Sequence, residues 1–407
     1  MSIHRTQVPI SALLLCTALA ACDGRDSSAP RTAAAADITP TPAVNVADSG
    51  AAGPYWADDT LPSEQLERGR LDMSWQRVVQ IDTAGLAPVH DTESWTDITP
   101  SAVNTAPATL PLGGDVAGPS VLRVQVLLDR ALFSPGMLDG RWGKNTAKAV
   151  YWLQKREGLR ATGTVDSATF ARLAELAGAP KQLVVTHRLS EDDVKGPFMK
   201  LPTDIYARAE LDCSCYESLS EKLGERFHVT PELLAQLNPG VDLDALKAGA
   251  QLNVPNVRDS TAATPAGKVA EIVVSKEGSF VHAMDAQGRI LYHFPSTLGS
   301  SYDPSPTGDY HVKSITRDPW WHYQPAILAH VDSSDPDATI PPGPNNAVGV
   351  VWMALSAPHY GIHGTSSPQT IGYATSAGCV RLTNWDASFL ASQVEKGTPV
   401  RFRDTGK

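Results

Sequence analysis

The chain has 407 residues, a length that predicts about two to four domains. Charged residues make up 19% and hydrophobic residues 42%, with 31 glycines and 31 prolines, which describes a globular chain with loop-rich stretches and excludes a collagen or a wholly disordered protein. Lys and Arg number 34 against 44 Asp and Glu, a formal charge of −10 without any basic cluster, so no nucleic acid partner is expected.

Arg5 precedes an apolar run from Val8 to Ala21 that Pro9 interrupts and that is shorter than the about 20 residues of a bilayer span. This predicts a secretory signal over residues 1–21. Leu19-Ala20-Ala21-Cys22 resembles the bacterial lipobox, which implies cleavage before Cys22, lipid on Cys22 and a protein held to a membrane at the periplasmic face of the envelope. Ordinary cleavage beside a stray cysteine is the alternative. Asp23 resembles an inner-membrane retention signal. Residues 23–54, rich in Ala, Pro, Thr, Asp and Ser without apolar periodicity, read as a tether, and the rest of the segment 22–118 holds one expected helix, Ser63 to Val79.

From residue 119 to 178 three short helices are expected. Val121, Val124, Leu128 and Leu132 recur at helical spacing, with Gln125 on the same face; Ala147, Val150, Tyr151 and Gln154 carry the second helix, and Phe170 and Leu173 the third. Between them lie two turns, Asp139-Gly140-Arg141-Trp142-Gly143 and Thr162-Gly163-Thr164-Val165-Asp166. This segment resembles the small all-α peptidoglycan-binding domain, and by that resemblance Trp142, Trp152 and Gln154 are glycan or peptide contacts, with burial of both tryptophans as the alternative.

Residues 183–258 form a further unit. Leu219 through Asn238 and then Leu246 through Pro255 resemble a LysM repeat, a small α+β module with two helices between two strands. The opening Gly-Asp-Thr-Leu of that family is replaced by Tyr216-Glu217-Ser218-Leu219, so a spacer derived from LysM is expected in preference to an active glycan binder. Cys213 and Cys215 are read as a labile disulfide or a free pair; with only His228 near them, no metal site is expected.

From about 266 to 404 the pattern is β. Val269–Val274, Phe280–Met284, Arg289–Phe294, Tyr310–Thr316, Ala347–Leu355 and Val400–Arg403 read as strands, with a hairpin turn at Asp285-Ala286-Gln287-Gly288. One helix, capped by Thr383 or Asn384 and stopped by Gly397, faces inward through Trp385, Phe389, Leu390 and Val394. An antiparallel sheet or barrel-like sandwich fits these elements.

The chemistry is concentrated in Ile362-His363-Gly364-Thr365 and Ser376-Ala377-Gly378-Cys379-Val380-Arg381. A thiolate is a strong nucleophile, and a free thiol near pKa 8.5 needs a base or a cation beside it to be mostly ionised. His363 supplies a base. Gly378 leaves room for a substrate carbonyl near the Cys379 amide, an oxyanion hole, and Arg381 faces the same way as Cys379 on an extended strand.

These two stretches resemble the signature of bacterial L,D-transpeptidases, and the resemblance extends through Pro304–Tyr310, Gly343–Gly349 and Pro358–Gly361. It implies a Cys379 nucleophile, His363 as general base and acid, the Gly364 carbonyl orienting its ring, Gly378 in the oxyanion hole, Arg381 acting on the thiolate or a substrate carboxylate, and Thr365 and Ser376 shaping the substrate loop. It implies no cofactor and no metal. Where many members carry His before Gly-Cys, this chain has Ala377, and His359 is a spare imidazole read as loop structure. The implied partners are peptidoglycan stem peptides and glycan: a thioester forms on a tetrapeptide stem, D-Ala leaves, and an amine takes the acyl group to give a 3→3 cross-link. Transfer to water, transfer to a protein lysine, or an idle wall-binding scaffold are the alternatives.

Overall fold

The computed structural model describes residues 93–258, 267–300, 303–327 and 331–403. The expected signal, Cys22, the tether and the helix Ser63 to Val79 lie outside them. Among the described residues no helix is long and apolar enough to cross a membrane.

The helical part begins with α1 (Pro100–Thr105), which starts on the Thr99 side chain. It continues through α2 (Pro119–Arg130), α3 (Lys144–Arg156) and α4 (Ser167–Leu176). Gly118 cannot cap α2 with a side chain, and the Glu93 carboxylate does so from afar, accepting from Ser120 N–H at 2.7 Å and from the Ser120 hydroxyl at 2.6 Å. Val124, Leu128, Ala147, Val150 and Leu173 close the core of this bundle at the expected positions, and Leu153 joins them. Gln125 and Gln154 each lie buried and clamp the glycine turn that follows their helix: Gln125 Oε1 accepts from Gly140 N–H at 2.8 Å, and Gln154 Oε1 accepts from Thr162 and Gly163 N–H at 2.8 and 3.0 Å.

β1 (Val184–Arg188) and β2 (Gln251–Pro255) pair antiparallel. Between them run α5 (Glu191–Val194), α6 (Ile205–Ala209), α7 (Leu219–Arg226) and α8 (Pro231–Gln236). Cys213 and Cys215, between α6 and α7, are bonded to each other, which settles the choice left open by their spacing.

The remaining strands are β3 (Glu271–Ser275), β4 (Phe280–Met284), β5 (Ile290–Pro295), β6 (Gly308–Arg317), β7 (Trp321–Tyr323), β8 (Ala338–Ile340), β9 (Val351–Leu355), β10 (Gly361–His363), β11 (Val380–Arg381) and, after α9 (Asn384–Gln393), β12 (Pro399–Arg403). Eight of them form one sheet in the order β11-β10-β9-β6-β12-β3-β4-β5, while β7 and β8 make a separate hairpin. The sheet is mixed, with β10–β11 and β12–β3 parallel. β6 pairs with β12 through its first half and with β9 through its second, and its register to β9 slips between Val312 and Ser314, so the sheet turns there. The run after β5 bonds back to the far edge: Thr297 and Arg381 exchange both backbone hydrogen bonds at 2.9 and 3.0 Å. The sheet thus curls toward a barrel around Ile272, Val274, Phe294, Met353, Ile362, Phe402 and, from α9, Phe389 and Leu390.

Two expected elements change their limits. The strand read from Ala347 begins only at Val351, because Asn346 N–H to Gly343 and Gly349 N–H to Asn346 close turns before it, with Gly349 at φ +60°. α9 ends at Gln393 rather than near Gly397, since Glu395 and Thr398 bond each other in a separate turn.

The parts are joined by buried polar links. Arg258 donates to Asp129 at 3.1 Å and also pairs with Asp386 of α9; His228 meets Asp129 at 2.8 Å, and the Ser134 hydroxyl donates to Asp386 at 2.7 Å. On the sheet side, the Lys148 ammonium of α3 donates to the Gly278 and Ser279 carbonyls at 3.0 Å.

Candidate active site

His363 ends β10, held between β9 and β11 by Ile362 paired with Met353 and with Val380. That parallel register brings the residue before Val380, which is Cys379, beside Gly361. Gly361 has to be glycine, because a Cβ there would lie 2.5 Å from the Trp352 ring, and this ring in turn lies tilted against His363 with centroids 5.2 Å apart.

His363 is fully buried, and its Nδ1 lies 2.7 Å from the Gly364 carbonyl. A carbonyl only accepts, so the proton sits on Nδ1 and the lone pair on Nε2. Nε2 is buried without a hydrogen-bond partner among the described residues. Burial pulls the imidazole down to about 4, against the favourable Gly364 bond, so the ring is neutral at any ordinary pH.

Cys379 is fully buried among Ile205, Trp321, Tyr323, Ile340, Val348, Trp352 and Ala354. Burial pushes its thiol up to about 12, and a hydrogen bond from the Gly361 amide only partly offsets this. Its S–H points to the His359 carbonyl at 3.7 Å. In this closed arrangement low-dielectric surroundings favour the neutral form of both partners.

The loop into Cys379 is built around Gly378, at φ +97°, where a Cβ would lie 2.6 Å from the Tyr360 ring. The Ser376 hydroxyl donates to the Cys379 carbonyl at 2.6 Å and closes the turn. Arg381, 1% exposed, pairs its backbone with Thr297 in β11. Thr365, 1% exposed, accepts from Ser367 N–H at 3.2 Å through its hydroxyl and gives its own N–H to Asn384 Oδ1 at 3.1 Å.

Cys379, His363, Gly364, Thr365, Ser376, Gly378 and Arg381 are thus brought together. Trp142, Trp152 and Gln154 are not: Trp142 and Gln154 are buried, which corrects their reading as glycan contacts, while Trp152 is half-buried. Trp142 is 2% exposed in the helical core, Gln154 is 1% exposed and committed to its turn, and Trp152 packs on Phe280 and His282 of β4 at 5.0 and 4.8 Å, where helix meets sheet. Sequence reasoning also missed Asn384 as anything but a cap: Thr383 is the cap, and the Asn384 amide reaches back to the histidine loop. Glu225 of α7, which accepts from that amide at 3.1 Å, carried no signal in its own neighbourhood. Ile205 and Tyr206 of α6 were likewise unmarked; Tyr206 donates to the Pro336 carbonyl at 3.0 Å beside the β7–β8 hairpin, and Ser214 bonds the Pro341 and Pro342 carbonyls at 2.8 Å.

Residues 270–402 match the family model described as L,D-transpeptidase catalytic domain. Residues 117–173 match the one described as "Putative peptidoglycan binding domain". The chain is similar to "Putative L,D-transpeptidase YkuD" of Bacillus licheniformis, at 29% identity over 44% of this chain and 90% of the relative. To the protein of the same name in Bacillus subtilis it is 30% identical over 43% of this chain and 87% of the relative. A crystal structure of an L,D-transpeptidase from Xylanimonas cellulosilytica aligns over 73% of this chain and 99% of that one at 16% identity and a TM-score of 0.31.

Proposed function

The chain belongs to the L,D-transpeptidase family, and from that premise we propose that it is exported and joins peptidoglycan stems through a thioester on Cys379. The observation that carries this reading is the state of His363: its one proton is tied to Gly364, and its other nitrogen is a buried lone pair without a partner, one strand from the thiol.

In the proposed cycle His363 Nε2 takes the Cys379 proton as Sγ attacks the carbonyl of the third residue of a tetrapeptide stem. Backbone N–H groups at Gly378 and Cys379 meet the oxyanion. The carbon–nitrogen bond to D-Ala breaks, and the His363 proton passes to the departing amine. A neutral amine from a second stem then attacks the thioester, His363 takes its proton, and that proton returns to sulfur. With burial pushing the thiol up and pulling the imidazole down, a preformed ion pair is disfavoured in the closed site. Proton transfer therefore accompanies attack. Cys22 is the proposed lipid site that keeps the enzyme at a membrane.

The test is muropeptide analysis of cell walls, paired with purified enzyme on tetrapeptide stems and a carbapenem as acylating probe. The parent should give 3→3 linked dimers and one carbapenem adduct on the Cys379 peptide, and Cys379→Ala neither while remaining folded. Tripeptides alone would replace transfer by hydrolysis, a protein-bound stem would make the acceptor a lysine, and an active Cys379→Ala would end the assignment. Cys22→Ser should move the protein out of the membrane fraction of the same cells.

A further inference from the structure

We propose that Glu225 is a positioning residue for His363, acting through the Asn384 amide and the single peptide group between Gly364 and Thr365. The proposal rests on the reading of His363 as the base.

That peptide group is held at both ends. Its carbonyl, on Gly364, accepts the His363 Nδ1 proton at 2.7 Å; its N–H, on Thr365, donates to Asn384 Oδ1 at 3.1 Å. A peptide group is a rigid plane, so whatever fixes the N–H also fixes the carbonyl that sets the histidine's tautomer. Asn384 Oδ1 takes a second bond from Val350 N–H at 3.3 Å. Gly349 and Gly364 flank this oxygen, and a Cβ on either would overlap it, which explains both glycines.

An asparagine amide can turn over, exchanging its oxygen for its NH2, and the surroundings decide which end faces Thr365. Here the decision is made at the Nδ2 end. Both Glu225 oxygens lie 3.1 Å from Nδ2, and the Pro344 carbonyl lies 3.2 Å away. Glu225 comes from α7, outside the sheet that carries the chemistry and 159 positions from Asn384. It is buried in its turn beneath Tyr216, whose hydroxyl donates to it at 3.4 Å, and near Glu221, which is tied to Asn345 at 2.7 Å. Burial, with Glu221 adding to it, lifts the Glu225 carboxyl to about 8, so at neutral pH it is mostly uncharged and glutamine is its closest mimic.

The experiment compares Glu225→Gln, Glu225→Asp and Glu225→Ala in the full chain. Asp keeps a carboxyl but withdraws it by one methylene, which serves if the Ala protein fails to fold. Displaced positioning should lower kcat about tenfold or more in Asp and Ala with KM within about twofold, while Gln stays within about twofold of the parent. In an Asn384→Ala background the Glu225 change should add no further loss. Nitrogen NMR of the histidine rings should show the Nδ1–H form of His363 in parent and Gln proteins and a mixture of tautomers in Asp. Parental kcat and a single tautomer in the Asp and Ala proteins would overturn the proposal, as would losses that multiply with Asn384→Ala. A parent that lacks turnover, while the tautomer still responds to Glu225, would instead remove the functional reading and leave the positioning intact.

Discussion

Any side chain at position 378 would compete with Tyr360 for the same space in a backbone conformation that L residues avoid. Gly378→Ala is therefore expected to cost about 1–3 kcal/mol and, because relief must come from the loop that presents Cys379, to lower the rate of carbapenem acylation far more than the melting temperature suggests. Intact-mass kinetics beside a thermal melt separate the two effects; equal acylation by the Ala protein would show that the loop tolerates the shift. Residues of this kind were legible beforehand, because Gly378, Cys379 and His363 act through their immediate neighbours in the chain. Trp142 and Gln154 were misread for the opposite reason: an aromatic in a turn or an amide near a helix end has the same local pattern whether it faces solvent or a core, and only packing decides.

Among the elements, α9 shows how a helix with a readable apolar face can carry unreadable duties. Phe389 and Leu390 fill the sheet core as its spacing predicts, while Asn384 and Asp386 in its first turn tie together segments more than a hundred positions apart. Asp386 and Asp129 share Arg258, and all three lie buried. Burial by itself would raise Asp129, but Arg258 and His228 more than reverse it and hold the carboxyl at about 2. Its folded value is depressed, so its contribution is complete above the unfolded value near 4 and lost as pH falls toward 2. Arg258→Met leaves two buried carboxyls without their cation and should cost about 3–5 kcal/mol at pH 7, with the deficit shrinking below pH 4 as Asp129 protonates. Denaturant melts at pH 7 and pH 3 measure both numbers, and an unchanged deficit at pH 3 would exclude Asp129 as its source.

For the molecule as a whole, the helical and β-rich stretches followed from periodicity and turn residues, but their mutual contacts did not. Hydrophobic spacing reports which face of an element is covered, not by what. The segment 183–258, expected as a spacer, instead lends Glu225 to the histidine loop and α6 to the β7–β8 hairpin. Ile205 packs with Trp321, Tyr323 and Ile340 over a sulfur that solvent does not reach. On the proposed chemistry, an acylated sulfur in that position would be a thioester shielded from water, and its partition between amine and water would depend on access past the β7–β8 hairpin. Close packing of that hairpin would favour an amine already seated on the enzyme over water. Ile205→Ser, which weakens the clasp without touching sulfur or imidazole, should therefore raise the ratio of tripeptide to cross-linked dimer at constant acceptor concentration, as read by chromatography of the products. A constant ratio would mean that the two nucleophiles are sorted after entry, by contacts made to the amine itself.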